Sequence, residues 1–327
     1  MCIGIPSIAR EGESYIGTTV GSLLAGLNAT QRAELHIVVL IAHALPSKHP
    51  VFQEAWLEDT VDDVLTYDVS QPVLSNLTRW EKDRDFGFKG LFDYVYTLQH
   101  CANTGAQWVT MLEDDTIAVE GWYSRTLEAL SYVVDQYKDS QDSDWLYLRL
   151  FFTEEFLGWN IENLPTYIMV SSATMTMVGV SLLFIRRFAF SRHLTDSYII
   201  IAIFIYVPAS ILLYFAAGRL TVQPLNPGVH QMPRYGCCAQ GLVYSSTTAL
   251  RVANYLTQKK EGFVDEFLEE WANNEGMVRW AIFPSLLQHN GAHSSKGDDF
   301  GSNAERGRSV AERIWSFGFE KYDISRR

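Results

Sequence analysis

Apolar and polar residues alternate in blocks along the amino-terminal third of the chain. Four short apolar runs have the length and composition of buried strands, the third being the weakest: Ile3–Ser7, Leu35–Ala42, Asp63–Tyr67 and Trp108–Leu112. Between them, Tyr15–Leu27 and Lys89–Cys101 carry apolar residues at helical spacing. Strands that alternate with helices predict an α/β domain with a mainly parallel sheet, whose ligands lie at the carboxyl ends of the strands.

The middle of the chain holds two longer apolar runs, Tyr167–Ile185 and Ser197–Ala217, which contain no charged residue. Each is about as long as the ~20 residues that a helix needs to cross the hydrocarbon core of a bilayer. A soluble domain can bury one such helix, but two in succession joined by a short loop are unusual. The pattern predicts a transmembrane hairpin over residues 166–218, with a kink at Pro208 that a membrane helix tolerates.

Charged residues beside the hairpin predict its orientation. The connecting loop, residues 186–196, is basic and the approach to the first helix is acidic: Arg186, Arg187, Arg192 and His193 against Glu154, Glu155 and Glu162. By the positive-inside rule the loop is cytosolic. Residues 1–165 and 219–327 then lie on the luminal face, where we expect them to form two halves of one domain. The glycosylation triplets that begin at Asn28 and Asn76 fall on this same side.

Composition narrows the classes of partner. With 26 Lys+Arg against 38 Asp+Glu, the formal charge of −12 repels phosphate backbones, so we expect no nucleic-acid partner. Four cysteines are too few for a disulfide framework and lack zinc-site spacing, although one bridge to Cys237 or Cys238 stays open. The opening residues 1–6 are typical of a buried strand and not of a signal peptide.

Three consecutive carboxylates follow the strand Trp108–Leu112, namely Glu113, Asp114 and Asp115. Such carboxylates repel one another, and the arrangement persists most easily when a divalent cation neutralises it. The expected cation is Mg²⁺ or Mn²⁺. A solvated acidic turn is the alternative interpretation, and the position at a strand end is what favours the cation.

Three segments after the hairpin carry further candidate chemistry. Residues 236–246 predict a loop of small residues that enters a strand, suited to close approach by a ligand or simply to a turn. Val264–Trp271 is an acidic helix whose carboxylates mostly face water, although one of them has the chemistry of a base. Residues 284–295 contain His289 and His293 beside Ser and Gly, which suits a metal ligand or a phosphate-binding loop, or a surface loop.

These segments resemble a known group of enzymes. Residues 3–11, Leu112–Asp115, Val264–Leu268 and Pro284–Ser295 are similar, in order and at comparable spacing, to N-acetylglucosaminyltransferase IV. A helix pair inserted after Trp145–Leu150 is not a feature of that enzyme. It resembles the related family of post-GPI-attachment N-acetylgalactosamine transferases, which is the closer relative. That family's usual N-terminal anchor has no counterpart here, which leaves open a truncated chain or a hairpin that suffices.

The resemblance implies a GT-A (Rossmann-like) glycosyltransferase fold, split by the two-helix hairpin, in a multi-pass Golgi membrane protein with a luminal catalytic domain. It implies a metal-dependent enzyme that moves a sugar, N-acetylgalactosamine by this resemblance, from a UDP-sugar to a mannose of GPI-anchor glycans. The expected partners are the UDP-sugar, the glycan acceptor and the bilayer, and the expected metal is Mn²⁺ or Mg²⁺. Transfer with inversion is expected, because it needs only one base and the metal.

The resemblance also assigns roles to residues of this chain. Glu113, Asp114 and Asp115 correspond to the acidic motif that binds the UDP-sugar and its metal, with Asp115 as the direct ligand. His289, and less so His293, corresponds to a carboxy-terminal metal ligand or phosphate contact. Arg10 and Glu11 are expected near the nucleotide. Asp265 is the expected base that takes the proton of the acceptor hydroxyl, with Glu266 as the competing choice.

Other function classes are consistent with parts of the pattern. One is an N-acetylglucosaminyltransferase acting on N-glycans, and another is a membrane scaffold that keeps the fold without catalysis. A third is a metal-dependent phosphoester hydrolase, which would normally need a second cluster of metal ligands about 4 Å from the first. The intact acidic motif disfavours the scaffold, and the sequence motifs do not identify the donor sugar.

Overall fold

A computed structural model describes residues 1–10, 12–137, 144–153, 157–188, 194–234, 236, 238–291, 315–320 and 322. The chain divides into two compact units. Unit 1 comprises Met1–Phe156 and Pro227–Arg327, and unit 2 comprises Leu157–Asn226. Unit 1 is therefore assembled from two stretches of sequence that are separated by unit 2.

Unit 1 is a mixed α/β structure. Its described strands are β1 Cys2–Ser7, β2 His36–Ile41, β3 Asp63–Leu65, β4 Trp108–Leu112, β5 Thr116–Ala118, β6 Trp145–Arg149, β7 Gly228–Gln231, β8 Gly241–Ser245, β9 Val278–Phe283 and β10 Leu287–His289. Its described helices are α1 Ile16–Leu24, α2 Ala29–Ala33, α3 Ala55–Thr60, α4 Gln71–Asp83, α5 Phe86–Asn103 and α6 Trp122–Gln136, and then, after unit 2, α11 Ser246–Thr257, α12 Val264–Glu275 and α13 Phe317–Glu320.

Within the described residues, eight strands form the central sheet in the order β3-β2-β1-β4-β8-β6-β9-β7. Strands β3, β2, β1 and β4 run parallel, and β6 is parallel to β9. The sheet is thus mostly parallel, as the alternation of strands and helices predicts. Strand β8 is antiparallel to both β4 and β6, and β7 is antiparallel to β9.

Both faces of this sheet are covered, which explains why its strands are almost continuously apolar. Side chains alternate between the faces along each strand, since the period of a strand is two. Ile3 and Ile5 lie in the core that includes residues of α1 and α6, whereas Cys2 and Val38 lie in the core that includes residues of α5 and α11. Strands β1 and β6 end in the polar residues Ser7 and Arg149.

A disulfide joins β1 to α5 through Cys2 and Cys101, whose side chains are fully buried. Our sequence interpretation left open a bridge to Cys237 or Cys238 and did not identify this pair. The two cysteines are 99 residues apart in sequence, and only the packing of α5 on β1 brings them together. Cys238 is itself disulfide-bonded, and Cys237 lies outside the described residues.

Unit 2 contains two helices long and apolar enough to cross a membrane, Ile161–Phe188 and Asp196–Ala216. The first is built on α7 Leu164–Phe188, and the second comprises α8 Asp196–Ile201, a π-helical turn at Ala202–Tyr206 and α9 Val207–Ala216, followed by the short α10 Arg219–Val222. Large side chains such as Phe184 and Phe204 are more than half exposed, so these surfaces suit contact with lipid. The pair indicates association with a membrane.

The π-helical turn ends two residues before Pro208, where a kink was expected. Proline has no N–H and crowds the carbonyl of the fourth residue before it, so the regular hydrogen-bond pattern is interrupted at this position. A wider turn accommodates the missing hydrogen bond without ending the helix. At the end of the second helix, Trp159 packs on Phe215 and Tyr167, and its Nε1 donates to Phe215 O at 2.8 Å.

Candidate functional site

The three predicted carboxylates lie at the carboxyl edge of the sheet, which we define as the edge where β1, β2 and β4 end. Glu113 follows the last residue of β4, and Asp115 precedes the first residue of β5. The turn between them is fixed from α1, because Thr19 Oγ1 donates to Asp114 O at 2.7 Å and accepts from Thr116 N at 3.2 Å. The acidic segment is therefore an ordered part of the sheet edge, not a solvated turn.

Asp114 is held by donors from the end of β1. Its Oδ2 accepts from Ser7 Oγ at 2.6 Å and from Ile8 N at 3.3 Å, and its Oδ1 accepts from Arg10 Nη2 at 2.7 Å. Burial raises the pKa of Asp114, although the hydrogen bond and charge of Arg10 oppose that shift. Both oxygens are thus engaged within the protein, so the structure places Asp114 as a residue that positions Arg10 and the turn.

A small second sheet brings the carboxy-terminal motif to this edge. Strands β5 and β10 pair antiparallel with His289 opposite Thr116, and Asn290 N donates to Asp115 O at 2.9 Å. His289 and Asp115 belong to sequence on opposite sides of unit 2, 174 positions apart by their numbers. The pairing of β5 with β10, strands of three residues each, therefore brings together residues from the two sequence segments of unit 1.

The side chains of Glu113, Asp115 and His289 converge in this cluster. His289 Nε2 lies 3.2 Å from Asp115 Oδ1 and 3.8 Å from Glu113 Oε2, and one ligand atom of each residue lies within 4.8 Å of the others. Burial works against charge on His289, but the two carboxylates raise the pKa of its imidazole. Burial likewise opposes ionisation of Asp115, yet His289 and Arg10 hold the pKa of that carboxyl below its ordinary value.

The donor set fits a divalent cation. Two carboxylate oxygens and one imidazole nitrogen are ligands that Mn²⁺ accepts, and carboxylates also suit Mg²⁺. Within the described part of the chain, Asp115 Oδ1 is buried without a hydrogen-bond partner, since its approach to His289 lacks hydrogen-bond geometry. His289 and Arg10 balance the charge of this carboxylate, and a bound cation would add a direct contact to the buried oxygen. Glu113, whose side chain is 43% exposed, is the member of the cluster that faces solvent.

Two neighbours crowd Asp115 and fix its orientation. Arg10 Nη2 donates to Asp115 Oδ2 at 3.0 Å, and the Arg10 side chain is only 8% exposed. On the other side, the backbone of Gly291 lies so close that an added Cβ would collide with the Asp115 carboxylate. Glycine is needed here for the close approach of its backbone.

The predicted small-residue loop and the acidic helix α12 meet at the same edge. The loop enters β8 at Gly241, which is paired with Leu112, the residue before Glu113. Asp265 Oδ2 accepts from Cys238 N at 2.9 Å, and its Oδ1 accepts from Glu266 N at 3.0 Å. Asp265 therefore fastens this loop, while Glu266, the next residue of the helix, is exposed.

Two predicted site residues, Glu11 and His293, lie outside the described residues. The structure brings together Arg10, Glu113, Asp114, Asp115 and His289. The spacing of the motifs in the sequence does not by itself require this. Asp265 and Glu266 are placed on α12, where the contacts of Asp265 are with the loop and with its own helix.

Sequence reasoning missed two histidines behind this group. His49 Nε2 lies 3.0 Å from Ser7 Oγ, the hydroxyl that donates to Asp114, and His43 Nε2 accepts from Ala9 N at 2.9 Å. Burial, together with the charges of His43 and Arg10, lowers the pKa of His49 to about 4. Their position after the carboxyl end of β2 is the one signal in the sequence that points to the site.

Sequence reasoning also missed a buried charge network under α12. Glu269 accepts from Arg149 Nη2 at 3.1 Å and from Arg279 Nη1 at 2.7 Å, and Tyr147 also donates to it. Arg149 in turn donates to the carbonyl of Cys238. The network joins β6, β9 and α12 to the loop before β8, and it explains a buried arginine in an otherwise apolar strand.

Comparison with known proteins gives one family. The model of the family described as GPI-N-acetylgalactosamine transferase PGAP4 matches residues 1–288. Among curated proteins, none matches the chain. The matched range includes β1, the acidic segment, both apolar helices and α12.

Proposed function

The chain belongs to the GPI-N-acetylgalactosamine transferase PGAP4 family, and on that premise we propose that it is a glycosyltransferase of GPI-anchor glycans. In this proposal it has a GT-A fold and transfers N-acetylgalactosamine from a UDP-sugar to a mannose of the anchor. The observation that carries the proposal is the convergence of Glu113, Asp115 and His289 from both halves of unit 1. Such a cluster at the carboxyl edge is where ligands of α/β sheets bind.

We assign Mn²⁺ or Mg²⁺ to this cluster, with Asp115, Glu113 and His289 as ligands. When bound, a divalent cation supplies Lewis-acid stabilisation of the leaving nucleoside diphosphate. Arg10 neutralises the buried carboxylates of Asp114 and Asp115, and its position after β1 favours a role near the nucleotide. Asp114 keeps Arg10 in place through its contacts with Ser7 and Ile8.

For the acceptor side we propose inversion, with Asp265 or Glu266 as the base. A single base must take the proton of the acceptor hydroxyl while that oxygen attacks the anomeric carbon. Asp265 is engaged with the loop that enters β8, and Glu266 presents its carboxylate to solvent beside it. Assays of Asp265→Ala and Glu266→Ala test this assignment, and full activity in each variant would overturn it.

For the location we propose a Golgi membrane protein, with both helices of unit 2 crossing the bilayer and unit 1 in the lumen. Arg186 and Arg187 at the end of α7 favour a cytosolic loop. The disulfide between Cys2 and Cys101 suits an oxidising compartment. Asn28 and Asn76 are both exposed, so a luminal unit 1 can carry glycans at these positions.

Glycosidase digestion of the expressed protein tests this orientation. We expect two glycans on the wild-type chain, one after either Asn28→Gln or Asn76→Gln, and none in the double variant. An unglycosylated wild-type chain, with a tag at position 190 protected from protease in sealed vesicles, would overturn the proposed orientation.

The central experiment presents the purified full-length chain with Mn²⁺, a GPI-glycan acceptor and, in turn, UDP-N-acetylgalactosamine, UDP-N-acetylglucosamine and UDP-galactose. We expect transfer from the first donor to a mannose of the acceptor, with the anomeric configuration inverted. Profiling of anchors in cells with and without the gene is the matched test, and unchanged anchors would overturn the proposed acceptor. Thermal stabilisation by UDP with Mn²⁺ separates a transferase from a scaffold, for which none is expected.

A further inference from the structure

A second group of metal-ligand side chains lies at the amino edge of the sheet, where β1, β2 and β3 begin. It consists of His36, Asp63 and His100. Both imidazoles converge on a single carboxylate oxygen, since His36 Nε2 lies 2.7 Å and His100 Nε2 3.0 Å from Asp63 Oδ2. The three side chains are between 35% and 39% exposed, so the group is open to solvent.

Three different elements hold this group together. His36 is the first residue of β2, Asp63 is the first residue of β3, and His100 lies near the end of α5. The disulfide fixes the distance between the two histidines, because Cys2 is paired with His36 across β1 and β2 and Cys101 follows His100. The group is therefore preorganised by the backbone, with the partners held in place before any ligand arrives.

We propose that His36, Asp63 and His100 form a binding site for a divalent transition-metal ion of the zinc class, separate from the proposed transferase centre. Two imidazole nitrogens and one carboxylate oxygen are a ligand set that suits Zn²⁺, Cu²⁺ and Ni²⁺. The transferase cluster has the opposite balance, with two carboxylates and one imidazole, which favours Mn²⁺ or Mg²⁺. The two sites therefore differ in the metal they select.

The ligand atoms of the three residues lie within 4.8 Å of one another, and the two distances to Asp63 are close to those that the ion requires. Ligands about 2.0–2.1 Å from a tetrahedral Zn²⁺ are separated from one another by about 3.3 Å. The two histidine nitrogens are 2.7 and 3.0 Å from Asp63 Oδ2, so each ring must withdraw by a few tenths of an ångström. Side chains that are more than one-third exposed have room for this movement, and solvent supplies the fourth ligand.

A metal at this position would stabilise the edge strand β3 against the rest of the sheet. Strand β3 is an edge strand of three residues, and its pairing with β2 begins at Asp63 opposite Val38. A cation bound by His36, Asp63 and His100 links β2, β3 and α5 directly. The inferred role is structural, so the site contributes to stability and not to sugar transfer.

The test measures zinc bound to the full-length chain in detergent, after dialysis against micromolar Zn²⁺ with millimolar Mg²⁺ to occupy carboxylate-rich sites. The Asp115→Ala variant serves as the parent, because it removes a ligand of the transferase centre. We expect one equivalent of zinc by elemental analysis in this parent, and a rise in melting temperature of roughly 5 °C at zinc concentrations about 100-fold above the dissociation constant. Adding His36→Gln and His100→Gln should remove both effects.

His230→Gln is the matched control, because His230 lies in β7 at the other edge of the sheet. It should leave the bound zinc unchanged. A measurement without these substitutions guards against misfolding: Co²⁺ in the Asp115→Ala parent should give the visible absorption of a low-coordinate site with nitrogen ligands. Absence of bound zinc and of this spectrum, or zinc that persists after both histidines are replaced, would overturn the proposal and leave Asp63 as a shared hydrogen-bond acceptor.

Discussion

The two His/carboxylate clusters lie at opposite edges of one sheet and differ mainly in burial. At the carboxyl edge, Asp115 and His289 have side chains that are 7% and 10% exposed, and Arg10 adds a positive charge. At the amino edge, the three side chains are each more than one-third exposed. Burial makes each unbalanced charge costly in the first cluster, whereas water screens charges in the second.

The two clusters also differ in which parts of the chain they join. The buried cluster is assembled from both sequence segments of unit 1, and Arg10 compensates part of its negative charge. The exposed cluster uses residues from the first half alone and is supported by a disulfide. Substitutions in the first should therefore affect activity most, and those in the second should affect only stability.

Asp115→Ala is the sharpest test of this difference. It removes a ligand of the assigned cation and should abolish transfer, lowering kcat/KM by at least about a hundredfold. The equivalent change at the other edge, Asp63→Ala, should leave kcat/KM within about twofold when assayed at a temperature well below its melting point. Comparable losses of activity in both variants would remove the functional distinction between the clusters.

Arg10→Gln should lower the free energy of unfolding, because it removes a buried positive charge. The variant leaves Asp114 and Asp115 without their shared cation, and breaking a buried ion pair on one side typically costs about 3–5 kcal/mol. Denaturant unfolding should show this loss in the free energy of unfolding, and added Mn²⁺ should recover part of it. Arg32→Gln is the control, since its pair with Asp62 is about one-third exposed and should contribute less than about 1 kcal/mol.

Gly291→Ala tests how closely the carboxy-terminal motif approaches the acidic segment. The new methyl group would meet the Asp115 carboxylate, so we expect kcat/KM to fall by about 10-fold to 100-fold, the equivalent of roughly 1–3 kcal/mol of overpacking. Gly90→Ala is the matched control, because a Cβ there meets nothing within 4 Å. Equal activities of the two variants would contradict the described geometry.

Burial of His49 should have a smaller, pH-dependent effect on the stability of the fold. Because its pKa is lowered from 6.5 to about 4, the unfolded chain takes up a proton at His49 as the pH falls through about 6.5, while the folded chain does not. Stability should therefore decline between pH 6.5 and about 4, and His49→Gln should flatten that decline. Melting temperatures measured across this interval check the prediction, and parallel profiles for the two proteins would contradict it.

The sequence predicted those parts of the fold that depend on local pattern. Strand β4 was predicted to the residue, and β1, β2 and the helix α5 within a few residues, since apolar runs and helical spacing determine them. Strand β7 was not predicted. Its residues, Gly228–Gln231, are not a strand pattern, and the strand exists because β9 offers it an edge.

For the site, the acidic segment and His289 were identified from motifs, and their meeting was implied by the resemblance. The sequence did not predict which contacts each carboxylate makes. Asp114 and Asp115 are adjacent and chemically identical, and Arg10 donates to both, yet Asp114 also accepts from Ser7 while Asp115 pairs with His289. That distinction depends on contacts with residues about a hundred or more positions away, as does the buried pair of Arg149 with Glu269.

The position of β8 between β4 and β6 also sets an order of events during synthesis. Both sheet neighbours of β6, which are β8 and β9, are encoded after the two apolar helices. At about 5–20 residues per second, the ribosome needs roughly 5 to 20 seconds to produce β8 once β6 has emerged. During this interval β6 has neither of its sheet neighbours, while the two apolar helices are synthesised. Unpaired strand edges are prone to aggregation, so β6 is a vulnerable part of the chain until β8 and β9 have been synthesised.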